Sequence, residues 1–376
     1  MNKVKSCIIL EKMMLSVEKK LLLTTFVFIM VDVYLFNPEH DLALAHGTHN
    51  YTAPPFARRL RYDLRLLPAW LAPSGSCIAV PGEAPLEQDS RWLQAHQLDV
   101  TPVPISQIAA LGDCRILPWG WDAALRYQLS QAGVSSVCLP SDDQLEWIRR
   151  LSHRRVTIAV NQALNGLLDL PPCPVEQTLM DEVNAFMTSH PGCYLKMPWS
   201  GSGRGIYRVI DPLEDNHVRH WIEGVLRRQG SLLCEVGLDR VQDFAIECQC
   251  RDGRTQLTGY SVFDSDFHSQ FGTGRIAPME ELHRYLLGLY PALDKAVEAV
   301  LAALDGIIAP HYDGPLGVDM MIYRDCGGEM ALNPCVEVNL RMTMGMVTAA
   351  MGVRHGLRGV FSIVVDDSGY SVSLSM

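Results

Sequence analysis

Eight residues near the C-terminal end constrain the fold most tightly. Cys335-Val336-Glu337-Val338-Asn339-Leu340-Arg341-Met342 alternates between apolar and hydrogen-bonding side chains. A period of two belongs to a β-strand, so Val336, Val338 and Leu340 share one face and Glu337, Asn339 and Arg341 the other. Upstream, Leu316 to Tyr323 is an apolar strand interrupted by a single carboxylate, Asp319. Asp325-Cys326-Gly327-Gly328 supplies the turn that folds the two strands together. Asp319 is thereby brought near Glu337 and Asn339, while the Asn333-Pro334 bulge leaves the register open. Two carboxylates and an amide oxygen are hard ligands, suited to a magnesium ion shared with nucleotide phosphates. Arg341 suits a transferring phosphate or a substrate carboxylate. The plain alternative is a solvent-facing strand with a chance ion pair, and a carboxylate in the matching strand argues against it.

A second constellation runs Tyr194-Leu195-Lys196-Met197-Pro198-Trp199-Ser200-Gly201-Ser202-Gly203-Arg204-Gly205-Ile206. A strand carries one lysine, a glycine-rich loop follows, and a second strand begins at Ile206. A Walker A loop would need G-K-[ST] entering a helix, and a dinucleotide fingerprint would also need a helix there. A Gly/Ser hairpin can close its amides over phosphates, with Lys196 as a point charge. An ordinary hairpin with an exposed basic residue would read the same way.

The chain before these motifs has a different texture. Val31–Phe36, Cys77–Val80, Val100–Val103, Arg115–Leu117 and Val137–Leu139 read as buried strands. Helical stretches such as Phe56–Leu71 and Asp122–Gln131 separate them. This alternation predicts an open α/β domain. Asn37-Pro38-Glu39 reads as a helix start with Asn37 as its cap. Trp119-Gly120-Trp121-Asp122 follows a strand where such sheets bind ligands, although tryptophans more often pack. From residue 141 the pattern becomes α+β. The expected division is an extension over 1–29, an α/β domain over 30–140, a lobe with the phosphate loop over 141–231, and a lobe with the metal strands over 232–376.

Composition narrows the class. A net charge of -10 over 376 residues is a poor match for general nucleic-acid binding. The eleven cysteines have no repeated metal spacing, and Cys248 and Cys250 read as two thiols on one strand face. No disulfide framework is apparent, so the reading is a reducing cytoplasm. Residues 1–30 hold five lysines and no arginine, whereas the rest holds only Lys196 and Lys295 against 25 arginines. That switch predicts a foreign extension over 1–29, with Met30 as the natural start. The rival reading is a signal segment, but the apolar run Leu21–Val31 is too short to span a bilayer, and Asp32 follows at once.

Taken in order, Y-L-K-M-P, G-S-G-R-G, L-L-C-E-V, G-V-D-M and E-V-N-L-R resemble the ATP-grasp superfamily over about residues 141–350. The α/β region before them looks like the pre-ATP-grasp domain, and the motifs imply a two-lobed ATP-grasp fold. The resemblance implies an ATP- and Mg²⁺-dependent ligase joining a carboxylate to an amine through an acyl phosphate. A small-molecule kinase and an inactive nucleotide-binding module are the alternatives. Lys196 and Arg341 take the catalytic roles. Lys196, Gly201, Ser202, Gly203 and Gly205 bind phosphates, Glu235 and Val236 form the adenine hinge, and Asp243 meets the ribose. Asp319, Glu337 and Asn339 are the implied metal ligands. The family's earlier lysine is absent from Leu151-Ser152-His153-Arg154-Arg155, leaving Arg155 or Arg154 as the substitute. Tyr260 to Arg275, with Asp264, Asp266, His268 and Phe271-Gly272-Thr273-Gly274-Arg275, reads as a loop with substrate-binding character. The expected partners are small-molecule substrates, with no nucleic acid and no membrane. Self-association is left open.

Overall fold

The computed structural model describes residues 30–201, 205–209, 216–265, 271–367 and 369–375. The extension over 1–29, Ser202, Gly203, Asp266 and His268 lie outside the described residues.

The first unit is a parallel sheet. β1 (Val31–Leu35), β2 (Cys77–Val80), β3 (Thr101–Pro104) and β4 (Cys114–Pro118) lie in the order β3-β2-β1-β4. Helices α1 (His40–His46), α2 (Pro55–Asp63), α3 (Leu86–Ala95) and α4 (Ala123–Gln131) connect or follow these strands. Both sheet faces are covered, which explains the near-continuous apolar strands. Val33 and Leu35 face a cluster with Ile108, Ile116 and Leu129, while Tyr34 and Phe36 face one with Trp70, Met346 and Phe361. Val137 and Cys138, from the strand expected over Val137–Leu139, lie in a short 3₁₀ turn over Ser136–Cys138 instead. Asn37 also departs from expectation. The first helix begins only at His40, and the Asn37 carboxamide bonds the Gly120 carbonyl at 2.7 Å and Asp122 at 3.3 Å. It ties the end of β1 to the loop after β4. Trp119 in that loop is 3% exposed and packs edge-on against Phe36.

Two helices lead out of this unit. α5 (Asp142–Leu151) starts in a capping box made by Ser141 and Gln144, and α6 (Arg155–Leu164) follows. A small sheet then has the order β5-β8-β6-β7, from β5 (Val175–Gln177), β6 (Tyr194–Lys196), β7 (Ile206–Arg208) and β8 (Leu232–Glu235). Helices α7 (Met180–Ser189) and α8 (Asn216–Gln229) belong to this lobe, whose core joins Val183, Leu195, Ile222 and Leu232.

The second lobe is a seven-stranded sheet ordered β13-β12-β9-β10-β11-β14-β15. Its strands are β9 (Asp239–Arg251), β10 (Arg254–Ser265), β11 (Phe271–Ile276), β12 (Gly314–Arg324), β13 (Met330–Asn339), β14 (Gly359–Asp366) and β15 (Gly369–Ser375). Helices α9 (Met279–Leu289) and α10 (Leu293–Ile307) break at Tyr290-Pro291-Ala292. Phe244, Ile246 and Cys248 of β9 and Val318, Met320 and Ile322 of β12 point into the core with these helices. Their neighbours, Asp243, Ala245, Glu247 and Asp319, point the other way, into a cleft. Cys248 and Cys250 are buried in that core, and the described cysteines form no disulfide. α11 (Met344–Val353) is buried from Gly345 to Gly352, as an all-round apolar helix should be. The architecture is α/β plus α+β, an open parallel sheet followed by two lobes. Among the described residues no helix is long and apolar enough to cross a membrane.

Candidate active site

The cleft between the two lobes is a cavity of about 220 Å³. Its floor is a ladder set by strand register. Asn333, Met321, Asp243 and Phe263 form one row across β13, β12, β9 and β10. Glu337, Asp319, Ala245 and Ser261 form the next, and Asn339, Gly317, Glu247 and Gly259 the third. The bulge expected at Asn333-Pro334 appears as a register shift opposite Asp319 and Met321. Asp319 therefore stands directly across from Glu337.

Asp319 is held well above the usual carboxylate range. Burial is the main cause, and the nearby charges of Glu337 and Glu247 add to it, against Arg341 and a bond from Asn339. Asn339 donates its amide to Asp319 at 3.2 Å and presents its oxygen to Arg341 at 3.0 Å. Arg341 also pairs with Asp41 of α1 at 3.0 Å. Burial alone would raise the Asp41 pKa, but Arg341, His40 and Arg154 outweigh it and hold that carboxylate low. The pair ties the first unit to the last motif, and the Trp119 carbonyl accepts the Met342 amide at 2.7 Å beside it.

The opposite wall comes from the small lobe. Lys196 is 4% exposed and pairs with Glu235 of β8 at 2.5 Å. Glu235 was read as a backbone hinge, yet its side chain also neutralises the lysine here. Val236 and Asp243 line the cleft as well, and Asp243 pairs with Arg240 at 3.0 Å. At the loop bases, a Cβ on Gly201 would lie 2.3 Å from the Asp41 carboxylate, and one on Gly205 would lie 2.1 Å from the Ser200 hydroxyl. Both positions require the missing side chain. The Gly205 carbonyl accepts the Met197 amide at 2.8 Å and closes the hairpin.

The two arginines proposed for the missing lysine separate clearly. Arg155 is turned away, with a 57% exposed side chain paired to Glu176. Arg154 lines the cleft instead and is 6% exposed. It donates to the Met197 carbonyl at 2.8 Å, the Ser200 hydroxyl at 2.6 Å and Glu337 at 2.7 Å. Of the two, the expected Arg155 stands outside the cleft and Arg154 lines it.

The Phe271–Arg275 segment is corrected too. It is strand β11, paired to β10 and β14, and Arg275 bonds Glu281 at the surface. Residues not singled out in the sequence also build the cleft. Glu247 is 1% exposed, accepts bonds from Ser261 at 2.8 Å and Thr343 at 2.9 Å, and is pushed up to about 7 by burial. A lone charge inside Phe244-Ala245-Ile246-Glu247-Cys248 is the same signal that marked Asp319.

The residues present suit a divalent cation. Two cross-strand carboxylates lie side by side, and among the described residues Asp319 accepts a bond from Asn339 and forms no ion pair. Among the described residues, however, no three His, Cys, Asp or Glu side chains are grouped closely enough to hold an ion. Asn339 adds an amide oxygen on the same strand face, here accepting from Arg341.

No protein-family model and no curated protein match the sequence. Solved structures do. The chain is similar to an N5-carboxyaminoimidazole synthetase from Staphylococcus aureus complexed with ADP, at 10% identity and a TM-score of 0.48, over 89% of this chain and 82% of that one. It is similar to a biotin carboxylase from Campylobacter jejuni at 13% identity and a TM-score of 0.49, over 90% and 76%. It is also similar to the biotin carboxylase domain of the 2-oxoglutarate carboxylase of Hydrogenobacter thermophilus, at 13% identity and a TM-score of 0.49, over 90% and 75%.

Proposed function

We propose that this protein is an ATP-dependent ligase of the ATP-grasp type, which joins a carboxylate to an amine through an acyl phosphate. One observation carries the reading. Asp319 and Glu337 face each other across adjacent strands, one register step from Asp243, in a cleft whose far wall carries Lys196. A nucleoside held beside Asp243, Glu235 and Val236 would direct its phosphates toward the carboxylate row.

Each side chain then has a task. Lys196 supplies a compact positive charge to phosphate oxygens once it exchanges Glu235 for them. Arg154 fixes the base of the hairpin through Ser200 and Met197 while holding Glu337 in place. Asp319, Glu337 and Asn339 would hold Mg²⁺, which when bound offsets charge on the transferring phosphoryl group. Arg341, kept charged by Asp41, Glu337 and Asp319 despite its burial, is placed to receive a carboxylate. Gly201 and Gly205 let the loop approach closely.

A screen of ADP release against pooled carboxylates and amines tests the reading. ADP that requires both an acid and an amine supports it. ADP that requires a single hydroxyl compound, or no nucleotide binding at all, contradicts it.

A further inference from the structure

The three rows of the cleft floor are one register step apart, about 7 Å on a β-strand. The Asp243 row lies at one end, the Asp319–Glu337 row in the middle, and the Glu247 row beyond it. If the nucleotide lies along the first two, the third is where its terminal phosphate meets an acceptor. Glu247 from β9 marks that third position, and Arg341, two residues past Asn339 of the same row, lines the cleft beside it.

Among the described residues, the cations bonded at the cleft floor are paired with groups other than Glu247. Arg341 is committed to Asp41 and Asn339, Arg154 to Glu337, and Lys196 to Glu235. Among the described residues, the Glu247 carboxylate accepts from the hydroxyls of Ser261 and Thr343 and has no basic side chain bonded to it. A carboxylate accepts about four hydrogen bonds, so each oxygen has capacity left. The surrounding backbone is cut away for this group. Gly317 stands across from Glu247, and a Cβ there would lie 2.9 Å from its carboxylate. A Cβ on Gly345 would lie 2.0 Å from the other oxygen. The hydroxyls fix the carboxylate and the glycines leave room for it, which is the construction of a binding group. A buried carboxylate with no bonded cation is costly when ionised, and either a proton or a cationic ligand offsets that cost.

We propose that Glu247 is the recognition group for the amine substrate, and that this amine binds as an ammonium against Glu247 with its partner carboxylate on Arg341. This rests on the ligase reading and deepens it. It selects amines that are protonated in solution, such as amino acids and polyamines, over neutral amides or aromatic amines.

The test is ligand binding by thermal shift, with Mg²⁺ and a non-hydrolysable ATP analogue present throughout. The probes are the individual L-amino acids, ethanolamine and putrescine. At least one should stabilise the wild-type protein in a dose-dependent way. Its affinity should fall about tenfold to a hundredfold in Glu247→Gln, as befits loss of a charged hydrogen bond, and recover in part in Glu247→Asp. The shift produced by the nucleotide alone reports on folding and on the ligase reading separately, and it should persist in both variants. No response of the wild type to any ammonium probe, or an equal response in Glu247→Gln, would overturn the proposal. Absence of a nucleotide shift in the wild type would overturn both the proposal and the reading on which it rests.

Discussion

Arg154 joins Glu337 through a 2.7 Å ion pair, across 183 residues of sequence. The same guanidinium holds Ser200, so the hairpin after β6 and strand β13 share one fastening. Replacing it by lysine keeps a charge but loses the fork. Arg154→Lys should therefore keep nucleotide binding within severalfold and lose turnover more heavily. Steady-state kinetics beside calorimetric nucleotide binding check this, and equal losses in both would show a purely structural role.

Asp319→Asn and Glu337→Gln each remove an anionic oxygen from the carboxylate row. Turnover should fall by about tenfold to a thousandfold in each, the range for electrostatic catalytic groups. Kinetics at saturating ATP and limiting magnesium read the effect. Near-normal rates in both variants would place the metal elsewhere.

The same carboxylates set a pH dependence of stability without divalent cations. The folded-state pKa values of Asp319 and Glu247 are raised above their unfolded values. Their contribution is complete below the unfolded value and is lost as pH rises through the folded one, between about pH 4 and about pH 8. Wild type should therefore lose stability relative to Asp319→Asn as pH rises through that window. Paired melting curves measure it, and a difference that does not change with pH would contradict the cause given.

Gly201→Ala places a methyl against Asp41, which holds Arg341. Turnover should drop, and Asp41→Ala should relieve the clash so that the double variant is less impaired than the two single effects added together. A double-mutant cycle in kcat shows this directly. Strict additivity would mean that the loop base and Asp41 act independently.

The fold and part of the site were legible because they rest on local signals. The alternation of Val336 to Arg341 is a property of one strand, and the Asp325–Gly328 turn fixes its partner. Lys196 stood out in a chain that otherwise favours arginine. What escaped depends on contacts far apart in sequence. Nothing near Asp41 signals that Arg341, 300 residues away, will bind it. Arg154 and Arg155 are adjacent and chemically identical, and only the turn into α6 decides which faces the cleft. The Phe271–Arg275 segment carries glycines that suit a loop, but pairing with β10 and β14 overrides that preference.

Lys196→Met should abolish turnover while nucleotide affinity falls only moderately. Contacts at Val236 and Asp243 survive, whereas charge developing on the transferring phosphate loses its counter-ion. Lys196→Arg should recover only part of the rate, since a planar fork replaces a compact ammonium. Single-turnover kinetics with separate binding measurements check both variants, and an active Lys196→Met protein would remove the lysine from the mechanism.

The central claim is that the acid is activated by phosphoryl transfer onto its carboxylate. Oxygen-18 transfer measures this most directly. The acid substrate is labelled in its carboxylate, and the released inorganic phosphate is examined by mass spectrometry after turnover with ATP and the amine. Label from the acid should appear in the phosphate, because the carboxylate oxygen bridges to phosphorus and leaves with it. Phosphate that carries no label from the acid, under conditions where the amide product forms, would contradict it.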